Sequence, residues 1–386
     1  MAEGMSPEEL GMVEPIETGG ERRTMQLNFG PQHPSTHGVF RAVLTLDGET
    51  VVDVDPVLGY LHRNHDYIYQ LMTYPQIVPM TDRTDYLSPL NNELVYSMAV
   101  EELLGIEVPE RAQYLRVIFA ELNRILSHFL YIGSIALDLA GYQPFLLSWR
   151  ERELGYDLIE KATGQRMFPN YIRIGGVHND VPEGWTGELL EFLDFIEREA
   201  WPEYKTLWME NPIFKARSEG VGVLPGEVAI AYGATGPVAR ASGVRRDLRK
   251  DRPYLVYDRF DFEMVTGEKG DTYERSWMRM YEILESIKII RQAVRDMPDG
   301  PILGQLPRGP MKAAKGAEVF TVAEGPRGEH GVYIASDGGV HPYRIHWFSP
   351  TFTMLQLLPY LAKGLKVADL IAILASLDPV MGEVDR

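Results

Sequence analysis

Apolar and polar positions follow two different periods along this chain. From Thr24 to Val57 the pattern is strand-like. Val39-Phe-Arg-Ala-Val-Leu-Thr-Leu46 and Thr50-Val-Val-Asp-Val54 flank Asp47-Gly48, a hairpin signal. After Pro56 the period lengthens to that of a helix. One helix is predicted over Leu90–Leu104. A second starts at Pro109, a residue suited to a first helical turn, and runs to about Ala140. Its apolar set is Leu115, Ile118, Phe119, Leu122, Ile125, Leu126 and Phe129, spaced as on one helix. Phe145–Thr163, Gly187–Met209 and Asp271–Met297 read as three further helices. Strand periods return at Glu318–Glu324 and His330–Ser336 around a Gly-Pro-Arg-Gly turn, with a third strand at Tyr343–Phe348. Helices over Thr353–Leu361 and Ala368–Leu377 follow.

These blocks divide the chain. Residues 1–22 lack an apolar period and read as a flexible tail. A β segment is expected over 23–58, a helical core over 59–297, a loop or short insertion over 298–316, and a C-terminal α+β segment over 317–386. The fold class is α+β: a central bundle of long helices flanked by small antiparallel β segments.

Composition narrows the function. The 386 residues suffice for a large core in two closely packed domains. A net charge of −17 argues against a nucleic-acid surface. The cysteine count is zero, which excludes disulfides, thiolate nucleophiles and cysteine-ligated iron–sulfur clusters in this chain. The best apolar run, Val367–Leu377, is too short to span a membrane and carries Asp369. The N-terminus lacks the basic and apolar regions of a secretory signal. A cytoplasmic location is expected, compatible with attachment to a membrane through a partner.

Candidate chemistry sits in a few loops and helix ends. Gly30-Pro-Gln-His-Pro-Ser-Thr-His-Gly38 places His33 and His37 four apart in a loop held by proline and glycine. Histidine there serves as a proton source near a carbonyl, or merely stabilises the loop. Asp138 falls in the apolar stretch Ile135–Ala140, where a carboxylate must find a partner or solvent; a histidine N–H is one such partner. In Thr81-Asp-Arg-Thr-Asp-Tyr-Leu-Ser88, Tyr86 offers one hydroxyl on an apolar ring and Arg83 a fixed charge, although the stretch also reads as a polar cap for the next helix. Asn170-Tyr-Ile-Arg-Ile-Gly-Gly176 signals a tight turn or close backbone approach, with no nucleotide-binding spacing. Arg150-Glu-Arg-Glu153 reads as a charged helical face, with an internal ion-pair network as the alternative.

Taken in order, these stretches resemble the D, or 49 kDa, subunit of respiratory complex I, the proton-pumping NADH–quinone oxidoreductase. The markers are the 30–38 loop, Gly59-Tyr-Leu-His-Arg63, Arg83-Thr-Asp-Tyr86, Leu137-Asp-Leu139, Arg150–Glu153, Asn170-Tyr-Ile-Arg-Ile-Gly-Gly-Val177, Arg240-Ala-Ser-Gly-Val244 and Asp378-Pro-Val-Met-Gly-Glu-Val-Asp-Arg386. The resemblance covers residues 24–386. That family is similar to the large subunit of nickel–iron hydrogenases, which hold their metals with two cysteine pairs, Arg-x-Cys-x-x-Cys and Asp-Pro-Cys-x-x-Cys-x-x-His. Laid on this chain, the pairs fall at about Asp85 and Ser88, and at Val380 and Glu383. A site that needs soft thiolates has no ligands here. No metal and no cofactor is expected on this chain alone.

The resemblance implies a hydrogenase-like fold whose former metal cavity, closed by the C-terminal segment, receives a quinone as substrate. His37 and Tyr86 would hydrogen-bond the quinone oxygens, and Asp138 would pair with His37. His33, Asp378 and Val380 would line the cavity. Arg83 would lie near the 4Fe–4S cluster of a small iron–sulfur partner subunit (B or PSST type). Further implied partners are a C-type subunit, an H-type membrane-arm subunit at the quinone entrance and other complex I subunits, with the assembly on the cytoplasmic side of the cell membrane. The alternative is a non-catalytic scaffold of the same fold. The chain departs from the family in three places. Arg63-Asn-His-Asp-Tyr67 replaces Arg-Gly-x-Glu-Lys. Phe168 stands where many relatives place a histidine that couples cluster reduction to protonation, so redox-linked protonation is not expected, and a lower cluster potential and a low-potential quinone are. The family's long insertion after Asp271–Met297 is cut to 298–316.

Overall fold

The structure is a computed structural model that describes residues 13–17, 23–32 and 36–386. It begins with a four-stranded antiparallel sheet in sequential order: β1 (Val13–Glu17), β2 (Arg23–Phe29), β3 (Arg41–Asp47) and β4 (Thr50–Val57). β3 and β4 form the hairpin predicted around Asp47-Gly48. β1 lies within the stretch read as a flexible tail and corrects that reading. Its backbone pairs with the open edge of β2, a partner that no local apolar period announces.

Two short helices follow, α1 (His65–Gln70) and α2 (Tyr74–Thr81), and then α3 (Pro89–Leu104), α4 (Glu110–Asp138) and α5 (Tyr142–Thr163). The long helices match the predicted spans. α4 is buried on every side along most of its length, including Arg116, Glu121, Arg124 and His128. A helix surrounded by protein cannot send its polar residues to solvent, so each of these must find an internal partner.

A tight hairpin, β5 (Ile172–Arg173) and β6 (Gly176–Val177), comes next. The glycines do what their pairing suggests. A Cβ on Gly176 would lie 2.0 Å from the Ile302 carbonyl oxygen, so only glycine lets the 298–316 loop come this close. The helix predicted over Gly187–Met209 is α6 (Trp185–Phe195) and α7 (Trp201–Tyr204), each followed by a five-residue π-helical turn at Ile196–Ala200 and Lys205–Met209. Pro202 lies in α7 and supplies no N–H, which favours such a local change of pitch.

Four short helices not legible from the pattern occupy the next region: α8 (Pro212–Ser218), α9 (Gly226–Tyr232), α10 (Gly236–Ala241) and α11 (Leu248–Asp251). α12 (Thr272–Asp296) then runs against α4 and completes the main core with α5 and α6. Residues 298–316 carry no helix or strand of their own.

The C-terminal segment divides its allegiance. β7 (Glu318–Gly325), β8 (Gly328–Ala335) and β9 (Arg344–Phe348) form an antiparallel sheet that packs on α2 and α3. The helices α13 (Pro350–Leu355), α14 (Leu358–Ala362), α15 (Val367–Leu377) and α16 (Met381–Asp385) pack instead on the N-terminal sheet, joined by a backbone bond from Val51 N–H to Leu365 O at 2.8 Å. The last residues are tied to the 59–63 loop. Asp385 accepts backbone N–H bonds from Gly59 (2.8 Å) and Leu61 (2.7 Å), and Arg386 O accepts from Arg63 N–H at 2.8 Å. This packing brings the two ends of the sequence to one place.

Candidate functional site

Five segments meet there: the loop after β2, the α2–α3 link, the C-terminal end of α4, the β7–β8 turn and the segment after α15. His37 adopts a left-handed backbone, φ 49°, and Gly38 follows at 111°. The Thr36 hydroxyl lies 3.1 Å from both Pro31 O and Gly38 O, which share its one proton across the loop. So bent, the loop sends the His37 ring toward the last residue of α4. His37 Nε2 lies 3.0 Å from Asp138 Oδ2, and both side chains are largely buried. The ring N–H is not aligned for a full hydrogen bond at that distance, so both atoms retain unspent capacity.

Tyr86 stands beside them. Its ring packs on Gly382, where a Cβ would lie 2.9 Å from two ring carbons. Its hydroxyl would be 3.9 Å from a Cβ on Gly38. Burial first, and then the neighbouring Asp85 carboxylate, push the phenol above its ordinary pKa, so it is held protonated. A cavity of about 10 Å³ adjoins it, bounded by Leu90, Asn123, Tyr156 and Phe168 among others. That is room for about one water, not for a ring.

The four positions matched to the hydrogenase cysteines are close-packed rather than open. Asp85 accepts the Ser88 hydroxyl and the backbone N–H groups of Leu87 (3.0 Å) and Ser88 (3.3 Å). These bonds stay within the link before α3, and the Leu90 N–H in the helix's first turn is met by Asn123 Oδ1 at 3.1 Å instead. Val380 and Glu383 are buried, and Glu383 accepts the Thr351 hydroxyl. Between these positions sits a guanidinium. Arg327, at the tip of the β7–β8 turn, pairs with Asp85 at 2.6 Å and donates to Asp378 O at 3.2 Å and Ser127 Oγ at 3.2 Å. Burial and the Asp85 carboxylate together lift Glu383 to about 7. A fixed cation thus occupies the space among these four positions.

Asp378 and Val380, expected to line an open cavity, are covered: 5% and 1% exposed. Asp378 caps α15 in a left-handed conformation, φ 56°, with Oδ2 3.5 Å from Arg327 and 3.8 Å from Arg279. Arg83 turns away from His37. It donates to Pro79 O and lies 4.7 Å over the Phe168 ring. Phe168 and Asn170 have positive φ, 55° and 46°, so this loop is held in a conformation that side chains rarely adopt. His33 lies outside the described residues. The structure thus joins His37, Asp138 and Tyr86, gathers Asp378 and Val380 behind them, and sets Arg83 on a separate face.

Sequence reading missed several contributors. Arg327 read only as part of a turn. Asp82, Glu93 and Arg279 are fully buried and gave no signal in an apolar period. Arg150–Glu153 divides between its two readings: Glu151 and Arg152 are buried, with Tyr204 donating to Glu151 at 2.9 Å and Arg152 to Leu126 O at 2.6 Å, while Arg150 and Glu153 lie on the outer face and pair with Glu203 and Arg166. Among the described residues no cluster of metal ligands occurs, and no helix is long and apolar enough to cross a membrane.

The chain is similar to known proteins over nearly its whole length. The family described as respiratory-chain NADH dehydrogenase, 49 Kd subunit, matches residues 138–315 and 308–386. The NADH-quinone oxidoreductase D subunit of Clostridium beijerinckii is 51% identical over 362 residues, covering 94% of this chain and 97% of that protein. The corresponding protein of Geobacillus thermodenitrificans is also 51% identical, over 94% of this chain and 98% of its own length. The second D-type protein of Symbiobacterium thermophilum is 49% identical over 94% and 99%. The chain belongs to the 49 kDa, or D, subunit family of the respiratory-chain NADH dehydrogenase.

Proposed function

We propose that this chain is the quinone-site subunit of a proton-pumping NADH–quinone oxidoreductase, seated peripherally on the cytoplasmic face of the membrane. The observation that carries this reading is the union of His37, Asp138 and Tyr86 from three distant parts of the sequence. Quinone reduction takes two electrons and two protons. A 4Fe–4S cluster on the small iron–sulfur partner supplies the electrons. Tyr86, held protonated, donates toward one quinone oxygen. His37 donates toward the other, and the Asp138 carboxylate steadies the ring as its charge changes. This chain alone leaves room for only about one water beside Tyr86, so on this reading the headgroup is seated between Tyr86 and the partner subunit. A C-type subunit and an H-type membrane-arm subunit complete the surroundings. The buried ion pairs behind the site are consistent with a hydrogenase-like ancestry in which Arg327 took over charge balance from metal.

The test uses the assembled complex. His37→Ala and Tyr86→Phe are each expected to lower quinone reductase activity by about 10²-fold or more with assembly intact. Full activity in both variants sinks the assigned roles and favours a non-catalytic scaffold.

A further inference from the structure

Behind Arg83 lies a pair of acids that the quinone chemistry above does not use. Asp82, just past the end of α2, and Glu93, on α3, are both 0% exposed. Their carboxyl groups lie within hydrogen-bonding distance of each other. Glu93 Oε2 accepts the Ile172 backbone N–H at 2.6 Å. The other three oxygens, Asp82 Oδ1 and Oδ2 and Glu93 Oε1, make no hydrogen bond of full geometry. The groups facing the pair are Arg83, whose guanidinium is 3.7 Å from Asp82, the phenol of Tyr69 on α1, and the backbone N–H groups of the Asn170–Ile172 stretch.

Two ionised carboxylates in contact, dry and short of donors, are not a stable arrangement. One proton between them removes the repulsion and supplies the missing donor. The pair then carries a single negative charge, which Arg83 balances. Burial pushes both acids above the ordinary carboxylate range, in keeping with this.

We infer that Asp82 and Glu93 form a proton-binding site that holds one shared proton at neutral pH and takes up a second when an electron arrives on the partner's carrier opposite Arg83. The electron link rests on the proposed function; the shared proton does not. Negative charge arriving beyond Arg83 offsets the guanidinium's field at the pair and raises its proton affinity. The balance is one electron gained by the partner's carrier and one proton moved from solvent to the pair, both carboxyls then being neutral. When the electron leaves for quinone, the proton is released. Phe168, stacked on Arg83, cannot titrate; the acids behind Arg83 can.

The experiment is infrared spectroscopy of the assembled complex in H2O and D2O, with wild type, Asp82→Asn and Glu93→Gln. In the oxidised state, wild type is expected to show a deuterium-sensitive protonated-carboxyl band that both variants lose. On reduction with dithionite, that band is expected to grow in wild type alone. A wild type without the band, or variants that keep it, overturns the inference. A band lost in the variants but unmoved by reduction overturns the electron link, and quinone reduction by the same preparation shows that the proposed function survives. Should one variant fail to assemble, the other decides alone, since removing either carboxyl abolishes the shared proton.

Discussion

The α4–α12 seam and the pocket around His37 both bury charge, and they treat it in opposite ways. Around Glu121 and Glu282 in the seam nearly every group is answered. Glu121 accepts from Arg124 (3.1 Å), Arg249 (3.1 Å), Tyr257 (2.7 Å) and Ser286 (2.6 Å). Arg240 reaches Glu282 at 2.5 Å and Glu324 at 2.8 Å, and His128 meets Glu282 at 2.9 Å. Only His128 Nδ1 lacks a partner in this set. Near the site the orphans gather: His37 Nε2, Asp138 Oδ2, Asp378 Oδ2, two nitrogens of Arg279 and three oxygens of Asp82 and Glu93. A saturated network fixes how two helices register. An unsaturated one marks where a proton, a substrate or a partner is to be supplied.

The comparison breaks most sharply at Glu121. Burial pushes its pKa up, but Arg124 and Arg249 outweigh burial and the net shift is downward. Glu121→Ala leaves the Tyr257 phenol without its acceptor and Arg124 without a carboxylate, with only the Glu324 and Gly325 carbonyl oxygens to meet it, while Arg249 keeps Asp247. The expected loss is about 3–5 kcal/mol of stability, read as the urea midpoint of the purified subunit. A loss below about 1 kcal/mol would show that the seam is not held by its charges.

A second test uses pH. Burial holds His128 down at about 4, against 6.5 when unfolded. Between these values the unfolded chain binds the extra proton and the folded chain does not, so stability falls as pH drops from about 6.5 toward 4. The full gap is worth about 3 kcal/mol. Glu324 and Glu383, lifted to about 7, work in the opposite sense between 7 and 4.5, so the raw curve mixes signs. The clean readout is a difference. His128→Gln keeps a donor for Glu282 but cannot titrate, and its deficit relative to wild type is expected to shrink as pH falls from 6.5 to 4. A constant deficit would place the charged histidine in the folded state.

Within the site the effects are smaller in stability and larger in function. A Cβ on Gly382 would lie 2.6 Å from the Thr84 carbonyl oxygen and 2.9 Å from the Tyr86 ring. Gly382→Ala must therefore move the ring or the α2–α3 link, at about 1–3 kcal/mol. Quinone reductase activity per assembled complex is expected to fall with it, since the Tyr86 hydroxyl is displaced from His37. Unchanged activity would mean that the Tyr86 position is not critical.

What the sequence disclosed follows the same division. α3, α4, α5 and α12 were legible because their apolar residues repeat at helical spacing. The two β hairpins were legible because turn residues separate alternating strands. α8 to α11 were not, because helices of four to seven residues are too short to show a period, and their burial is decided by tertiary packing. β1 was not, because an edge strand borrows its bonds from a neighbour. At the site, the loop histidine and Asp138 were visible as polar residues in unusual settings. Arg327 and Glu93 were not, because a buried charge in sequence looks like any surface charge until its partner 242 positions away (Arg327–Asp85) or its orphaned oxygens (Glu93) are seen in space.

The smallest stability effect is expected at the heart of the site. Asp138 is the last residue of α4 and its side chain is 8% exposed, so Asp138→Asn changes little packing and leaves an amide oxygen for the His37 ring. The expected cost is about 1 kcal/mol or less. The carboxylate's charge is gone, however, and with it the group that steadies a ring whose charge changes during turnover. About 1.4 kcal/mol of lost support at the reacting stage is a tenfold lower rate. Quinone reductase activity per assembled complex is therefore expected to drop about tenfold while the urea midpoint hardly moves. The reverse result, a destabilised subunit with full activity once assembled, would make His37–Asp138 one more structural ion pair like those of the α4–α12 seam, and would remove the contrast between the two regions.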